Sequence, residues 1–215
     1  MTRRYFIERA LRQIYGGQPT DDSQITVNLV NSWLNDAIAV AAKKNYTDAL
    51  SISGVGYVNN TFYTTFTGLT PSPDGRFTWK VTLPELPVGI GKNEGISNVV
   101  FKDSTGEFSQ QLIPLSINQS TYYDSMKPIP NKTVYINRGN AIYVKTALTL
   151  NNYTVTVTMI SGGDSSDLDS ILNVPSDYFP IMVEYIKSQL GFERAQPQDS
   201  ACYHDSCSGL WSKDF

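Results

Sequence analysis

His204 is the only histidine in these 215 residues, and Cys202 and Cys207 are the only cysteines. Nucleophilic or acid–base catalysis of the histidine type would have to run through that one imidazole. It lies in a polar terminal stretch, where a preorganised site is hard to build. Two cysteines give no disulfide framework. Charge is sparse as well: Asp, Glu, Lys and Arg make up 17% of the chain, and 17 basic against 20 acidic residues leave a net charge of −3. That balance excludes a nucleic-acid binder working through bulk positive charge. No uncharged apolar run approaches the roughly 20 residues of a membrane-spanning helix. Met1-Thr2-Arg3-Arg4 has the look of a twin-arginine export signal. Glu8, Arg9 and Arg12 stand where its apolar core belongs, so export is not expected.

What is present is a chain able to bury a core. Hydrophobic residues make up 40%, and the length suits one large domain or one domain carrying an insertion. Tyrosine occurs 13 times, and its large contact area with a polar tip suits strands and interfaces alike. Asn118-Gln119-Ser120 and Asn131-Lys132-Thr133 are glycosylation-type triplets that, without an export signal, read as polar turns.

The periodicity divides the chain in three. Phe6, Ile7, Ala10, Leu11 and Ile14 recur at helical spacing, and Gly16-Gly17 with Pro19 ends that helix. A second helix is expected to start at Thr20-Asp21-Asp22 and to carry Val27, Val30, Leu34, Ala37, Ile38 and Ala41 on one face. Lys43 and Lys44 fall in its last turn. From about residue 50 the period becomes two. Residues 57–64, 77–83, 133–137, 142–145 and 153–158 alternate and are rich in Val, Ile, Thr and Tyr. Pro73-Asp74-Gly75, Ser104-Thr105-Gly106, Arg138-Gly139-Asn140 and Asn151-Asn152 supply turns between strands. A short helical turn is expected within 165–172. Val174-Pro175-Ser176-Asp177 then opens a last amphipathic helix through Tyr178, Ile181, Met182, Tyr185, Ile186 and Leu190. The expected fold is α+β. An N-terminal helical hairpin (1–48) and a C-terminal helix (within 163–196) pack together. An antiparallel β-sandwich or small barrel (49–162) is inserted between them, and a polar tail (197–215) follows.

None of the chemical constellations is compelling. Cys202, His204, Asp205 and Cys207 are zinc-type ligands in one short loop, but the second ligand pair of a structural zinc site is missing. Gly89-Ile90-Gly91-Lys92-Asn93 is a fragment of a phosphate loop, with Leu86 where a glycine is needed and Asn93 where Ser or Thr is needed. Asp164, Asp167 and Asp169 lack the spacing of a calcium loop. No enzyme activity, cofactor or metal is therefore expected. Arg3, Arg4, Arg9 and Arg12 make the first helix locally basic, which reads either as a solvated face or as a surface for an acidic partner.

The run Asn173-Val174-Pro175-Ser176-Asp177-Tyr178-Phe179-Pro180-Ile181-Met182-Val183-Glu184-Tyr185-Ile186 continues into Leu190-Gly191-Phe192-Glu193-Arg194-Ala195-Gln196-Pro197-Gln198-Asp199. It resembles the C-terminal helix of tail-barrel ring proteins in crAss-like and related short-tailed phages. The helices expected at residues 3–15 and 21–43 resemble the start of the same proteins. Together they cover about half the chain; the β region and the stretch around Cys202 to Cys207 carry no such likeness. The resemblance implies a structural protein that forms a ring, usually twelve-fold, in the head-to-tail connector. Its partners would be further copies of itself, the portal protein and adjacent tail components. DNA would pass through the channel without sequence-specific binding, and no membrane would be involved. The protein would be assembled in the host cytoplasm and end in the virion. Arg3, Arg4, Arg9, Arg12, Tyr178, Tyr185, Arg194, Trp211 and Phe215 would be its assembly-interface candidates. The alternative is a carbohydrate- or receptor-binding β module, in which Trp79, Tyr122 and Tyr123 stack on sugars.

Overall fold

The computed structural model describes residues 1–17, 26–89, 95–115, 119, 121–130, 132–163 and 166–195, with the backbone alone for 191–195. The described residues form a mixed α+β arrangement of three α-helices and two sheets.

Helix α1 is Arg3–Tyr15, α2 is Val27–Ser53 and α3 is Phe179–Ala195. Thr2 caps α1 and Thr26 caps α2, each hydroxyl accepting from a backbone N–H three residues on. The α2 start expected at residues 20–22 lies outside the described residues. Its end differs from expectation: the helix continues past Lys44 and past residue 48 to Ser53. Asn45 and Ala49 extend its buried stripe, and Gly54, at φ 71°, supplies the left-handed cap. Tyr178 of the 3₁₀ turn before α3 meets Asn45, and Tyr185, further along α3, lies beside Asp36, further back along α2. The two helices therefore run antiparallel. Phe6 of α1 meets Phe179 of α3 edge to face, with ring centroids 5.9 Å apart. All three helices contribute to one hydrophobic cluster that includes Phe6, Leu34, Ile38, Met182 and Ile186.

The strands are β1 (Tyr63–Leu69), β2 (Ser72–Gly75), β3 (Thr78–Thr82), β4 (Ile96–Asp103), β5 (Ser109–Gln111), β6 (Ile113–Pro114), β7 (Val134–Arg138), β8 (Ala141–Lys145) and β9 (Tyr153–Ile160). They form a four-stranded sheet ordered β1-β9-β4-β5 and a five-stranded sheet ordered β2-β3-β8-β7-β6. Val99, Phe101, Val155 and Val157 of the first sheet share a hydrophobic cluster with Trp79, Val81, Ile142 and Val144 of the second. Alternate residues thus face a common core, as the period of two predicts. The sheets are not wholly antiparallel: β6 and β7 pair in parallel. The chain crosses from one sheet to the other at Leu112 and reaches β7 only after the long connection 115–133, the kind of return a parallel pair requires.

Two other expectations shift, and one strand was not expected. Residues 57–62 run extended and then through a 3₁₀ turn, so the strand begins only at Tyr63. The central strand β4 has a register break between Ile96 and Asn98, which spoils its alternation in the sequence. The described part of 165–172 is not helical. It pairs with the N-terminus instead: Arg3 N–H donates to Ser170, Arg4 N–H to Leu168, and Leu172 N–H to Met1.

The helical and sheet cores meet along β9. Val155, Val157 and Met159 belong to the sheet cluster, and the next residue, Ile160, belongs to the helical one.

Candidate functional site

Of the four basic residues of α1, Arg3 stands apart. It is fully buried, because position 3 falls on the same stripe as Phe6, Ile7, Ala10 and Leu11. Its guanidinium donates to the Asn31 side chain, to the Asn35 side chain at 3.3 Å and to the Gly162 carbonyl. A Cβ at Gly162 would collide with Asn35, so this close approach needs glycine. Arg3 is therefore a bolt between α1, α2 and the end of β9, and no part of an exposed basic face.

The other three arginines are on the surface. Arg4 Nε pairs with Asp169 at 2.9 Å, with both side chains more than half exposed, so the pair contributes little to stability. The pairing raises the arginine's affinity for its proton and lowers that of the carboxylate, in each case chiefly through the hydrogen bond between them. Arg9 and Arg12 are exposed and stand one turn apart, near the 57% exposed Tyr5.

The two tyrosine candidates are half-buried and occupied within the chain. Tyr178 Oη accepts from Asn45 Nδ2 at 2.7 Å, and its ring meets Phe62 edge to face. Asn45 Oδ1 in turn accepts from Asn59 N–H at 2.7 Å, tying α2 to the start of the sheet region. Burial, and then the nearby Asp36 carboxylate, raise the Tyr185 phenol above its ordinary value. The Arg194 side chain, Trp211 and Phe215 lie outside the described residues. So do Cys202, His204, Cys207, Asp164 and the stretch from Ile90 to Asn93.

Of the three aromatic residues of the binding-module reading, Trp79 and Tyr123 are buried, 8% and 1% exposed. Tyr122, 69% exposed, is free to meet a partner. Among the described residues no group of three or more His, Cys, Asp or Glu is placed to hold a metal ion. No described helix is long and apolar enough to cross a membrane.

Sequence reasoning missed two features. The first is the end of α2. Leu50, Ile52, Val55 and Tyr57 are 45%, 85%, 65% and 56% exposed, and no charged residue occurs between positions 50 and 57. Four large apolar side chains in one uncharged segment form a surface that water solvates poorly. The uncharged run is visible in the sequence, but its place at the end of a helix and its exposure are not. The second is a buried ammonium. Lys145, 4% exposed, ends β8 on the face away from the sheet core. Its Nζ donates to the carbonyls of Tyr123, Asp124 and Met126 and lies 4.6 Å from the Tyr123 ring centre. Burial lowers its affinity for the proton, partly countered by Asp124. Arg138 sits beside it over the rings of Tyr123 and Tyr143 and pairs with Asp124 at 3.1 Å. Together they pin the long connection before β7 onto the outer face of its sheet. A lone Lys at a strand end gives no sequence sign of this.

Comparison with protein-family models finds no match, and none of the curated proteins matches the chain.

Proposed function

We propose that this chain is a structural protein of a phage virion, forming an oligomeric ring in the head-to-tail connector or tail barrel. In this reading the three helices form a frame around which rings stack. The two sheets form a β-sandwich inserted in that frame between the end of α2 at Ser53 and Gly162. The partners are further copies of the chain, the portal protein and neighbouring tail components, and DNA passes through the channel. The chain has no enzymatic role.

The observation that carries the assembly reading is the exposed segment Leu50 to Tyr57. A stable free monomer seldom displays such a run, and covering it by another subunit is the simple remedy. A closed ring needs two unlike surfaces on each copy. The apolar end of α2 and the Tyr5, Arg9 and Arg12 face of α1 are two such surfaces. The resemblance in Asn173 to Asp199 supplies the virion context. The rival reading, a glycan-binding module, loses Trp79 to the sheet core and Tyr123 to burial against the outer face of a sheet.

Quantitative peptide mass spectrometry of purified virions tests the proposal. The chain is expected at about the copy number of the portal, and its absence from virions would overturn the reading. Native mass spectrometry of Ile52→Asp tests the surface. This variant is expected to keep its monomer stability within about 0.5 kcal/mol and to lose the oligomer. An Ile52→Asp variant that still assembles would remove the segment from the interface. Glycan binding that survives deletion of residues 1–48 would favour the module.

A further inference from the structure

We propose that the free edge of β5 is a docking site for an extended segment of a partner protein, which adds a strand to the four-stranded sheet. The inference is independent of ring assembly.

Four strands lie at sheet edges: β1, β5, β2 and β6. Exposed edges invite unwanted pairing, and proteins blunt them with proline, charge or bulges. Three of the four are blunted. β1 has a register break between Phe66 and Leu69, β2 has Pro73 and a break after it, and β6 ends in Pro114. β5 reads Ser109-Gln110-Gln111, with neither proline nor charge and an unbroken register against β4.

The ladder fixes which backbone groups are free. Asp103 N–H donates to the Phe108 carbonyl at 3.1 Å, and Leu112 N–H to the Val99 carbonyl at 2.8 Å. Antiparallel pairing alternates, so Phe108, Gln110 and Leu112 turn their backbone towards β4. The N–H and C=O groups of Ser109 and Gln111 point away from it. Only another extended backbone offers donors and acceptors at matching spacing.

A cavity of about 540 Å³ opens beside this edge, in the gap between the two sheets. Phe108, Ile129 and Leu148 line it and are 42%, 40% and 41% exposed. Gln110 lies directly across the ladder from the core residue Phe101, so its side chain turns into the gap. There its Oε1 accepts from the Thr133 hydroxyl at 3.3 Å, which holds the amide in place. Lys132 is the only charged side chain among the described residues lining the cavity. A strand on β5 would send alternate side chains into this space. The site therefore suits a segment with apolar residues at alternate positions and a carboxylate placed to meet Lys132.

The test is selection from a random displayed peptide library on the full chain, with affinities of the enriched peptides measured by fluorescence anisotropy. Enriched peptides are expected to alternate apolar residues and carry an acid. Gln111→Pro removes an outward N–H and leaves the bonds to β4 in place. Leu148→Asp places a charge at the exposed wall. Each is expected to weaken binding on the order of tenfold, with circular dichroism and thermal unfolding unchanged. N-methylation of the peptide on its pairing side should weaken binding similarly. No enrichment over an uncoated control would overturn the proposal. So would peptides indifferent to Gln111→Pro, or peptides that bind as helices.

Discussion

Among the described residues, the helical and sheet regions each bury one cation, and they hold it in different ways. Arg3 spreads a rigid fork over two side-chain amides and a carbonyl from three places in the chain: Asn31 and Asn35 on α2, and Gly162 after β9. Lys145 presents a point charge to three carbonyls of one short stretch, Tyr123, Asp124 and Met126, beneath an aromatic ring. The fork joins elements far apart in sequence and so is part of the tertiary frame. The ammonium fastens a local cover onto a sheet that already has its core. The difference teaches how far damage at each should spread. Loss of Arg3 strands acceptors that no local motion can hydrate, whereas loss of Lys145 frees a loop that water can reach.

Replacing Arg3 is the sharpest way to break the frame. Arg3→Met fills similar space but leaves the Gly162 carbonyl and the Asn31 amide without their donor. A loss of about 3–5 kcal/mol is expected in denaturant unfolding. Arg3→Lys keeps the charge without the fork and should fall between the two. A wild-type midpoint for Arg3→Met would show that the fork adds nothing. Arg9→Ala and Arg12→Ala, on the exposed face of the same helix, are the controls and should stay within about 0.5 kcal/mol of wild type.

Lys145→Met should be milder and confined. The three carbonyls lose an ammonium but gain water as the connection lifts, so about 1–3 kcal/mol is expected. Hydrogen exchange should show faster exchange of the Tyr122 and Met126 amides, which bond within the cover, and unchanged protection in α1 and α2. Equal loosening of α1 would mean that the two regions are not separate in this sense.

The same contrast explains what the sequence could reveal. The helices announce themselves because one face per helix is buried, and Arg3 is legible in hindsight as the charged member of the stripe Arg3, Phe6, Ile7, Ala10. The alternating strands β3, β7, β8 and β9 were legible for the same reason. β4 was not, because a bulge shifts its phase between Ile96 and Asn98. The last nine residues of α2 were hidden because two lysines look like a helix end, whereas the helix in fact continues to a glycine able to take φ 71°. The connection that covers Lys145 had no period at all. Its burial comes from Tyr123 lying against the outer face of a sheet, a tertiary contact no local pattern encodes. For the assembly surface, the sequence offered the basic residues of α1 and missed the apolar end of α2. Charge clusters are visible in a string of letters, whereas exposure of Ile52 is a property of the fold.

Tyr123 gives the smallest effect and the finest comparison. Its ring is 1% exposed, and its hydroxyl is buried with no hydrogen-bond partner among the described residues. Burial, only partly offset by Arg138, raises its pKa well above the ordinary tyrosine value. Between that ordinary value, about 10, and the raised one, the unfolded chain releases the phenolic proton while the folded chain keeps it. The unfolded state then binds fewer protons, so stability falls as pH climbs above about 10. Tyr63 and Tyr185, also raised by burial, act in the same direction. Lys145 acts in the opposite one. Its folded-state pKa is lowered, so its contribution rises with pH up to the ordinary lysine value of about 10.4. At neutral pH Tyr123→Phe removes an unpaired buried hydroxyl and keeps the ring over Lys145, so stability should hold or rise slightly. Above pH 10 the variant should lose stability less steeply, by up to about 1.4 kcal/mol per pH unit. Urea unfolding from about pH 8 to pH 11.5 would read both slopes. Identical slopes for Tyr123→Phe and wild type would mean that this phenol ionises as freely in the folded chain as in the unfolded one, and that the cover over Lys145 is open at high pH.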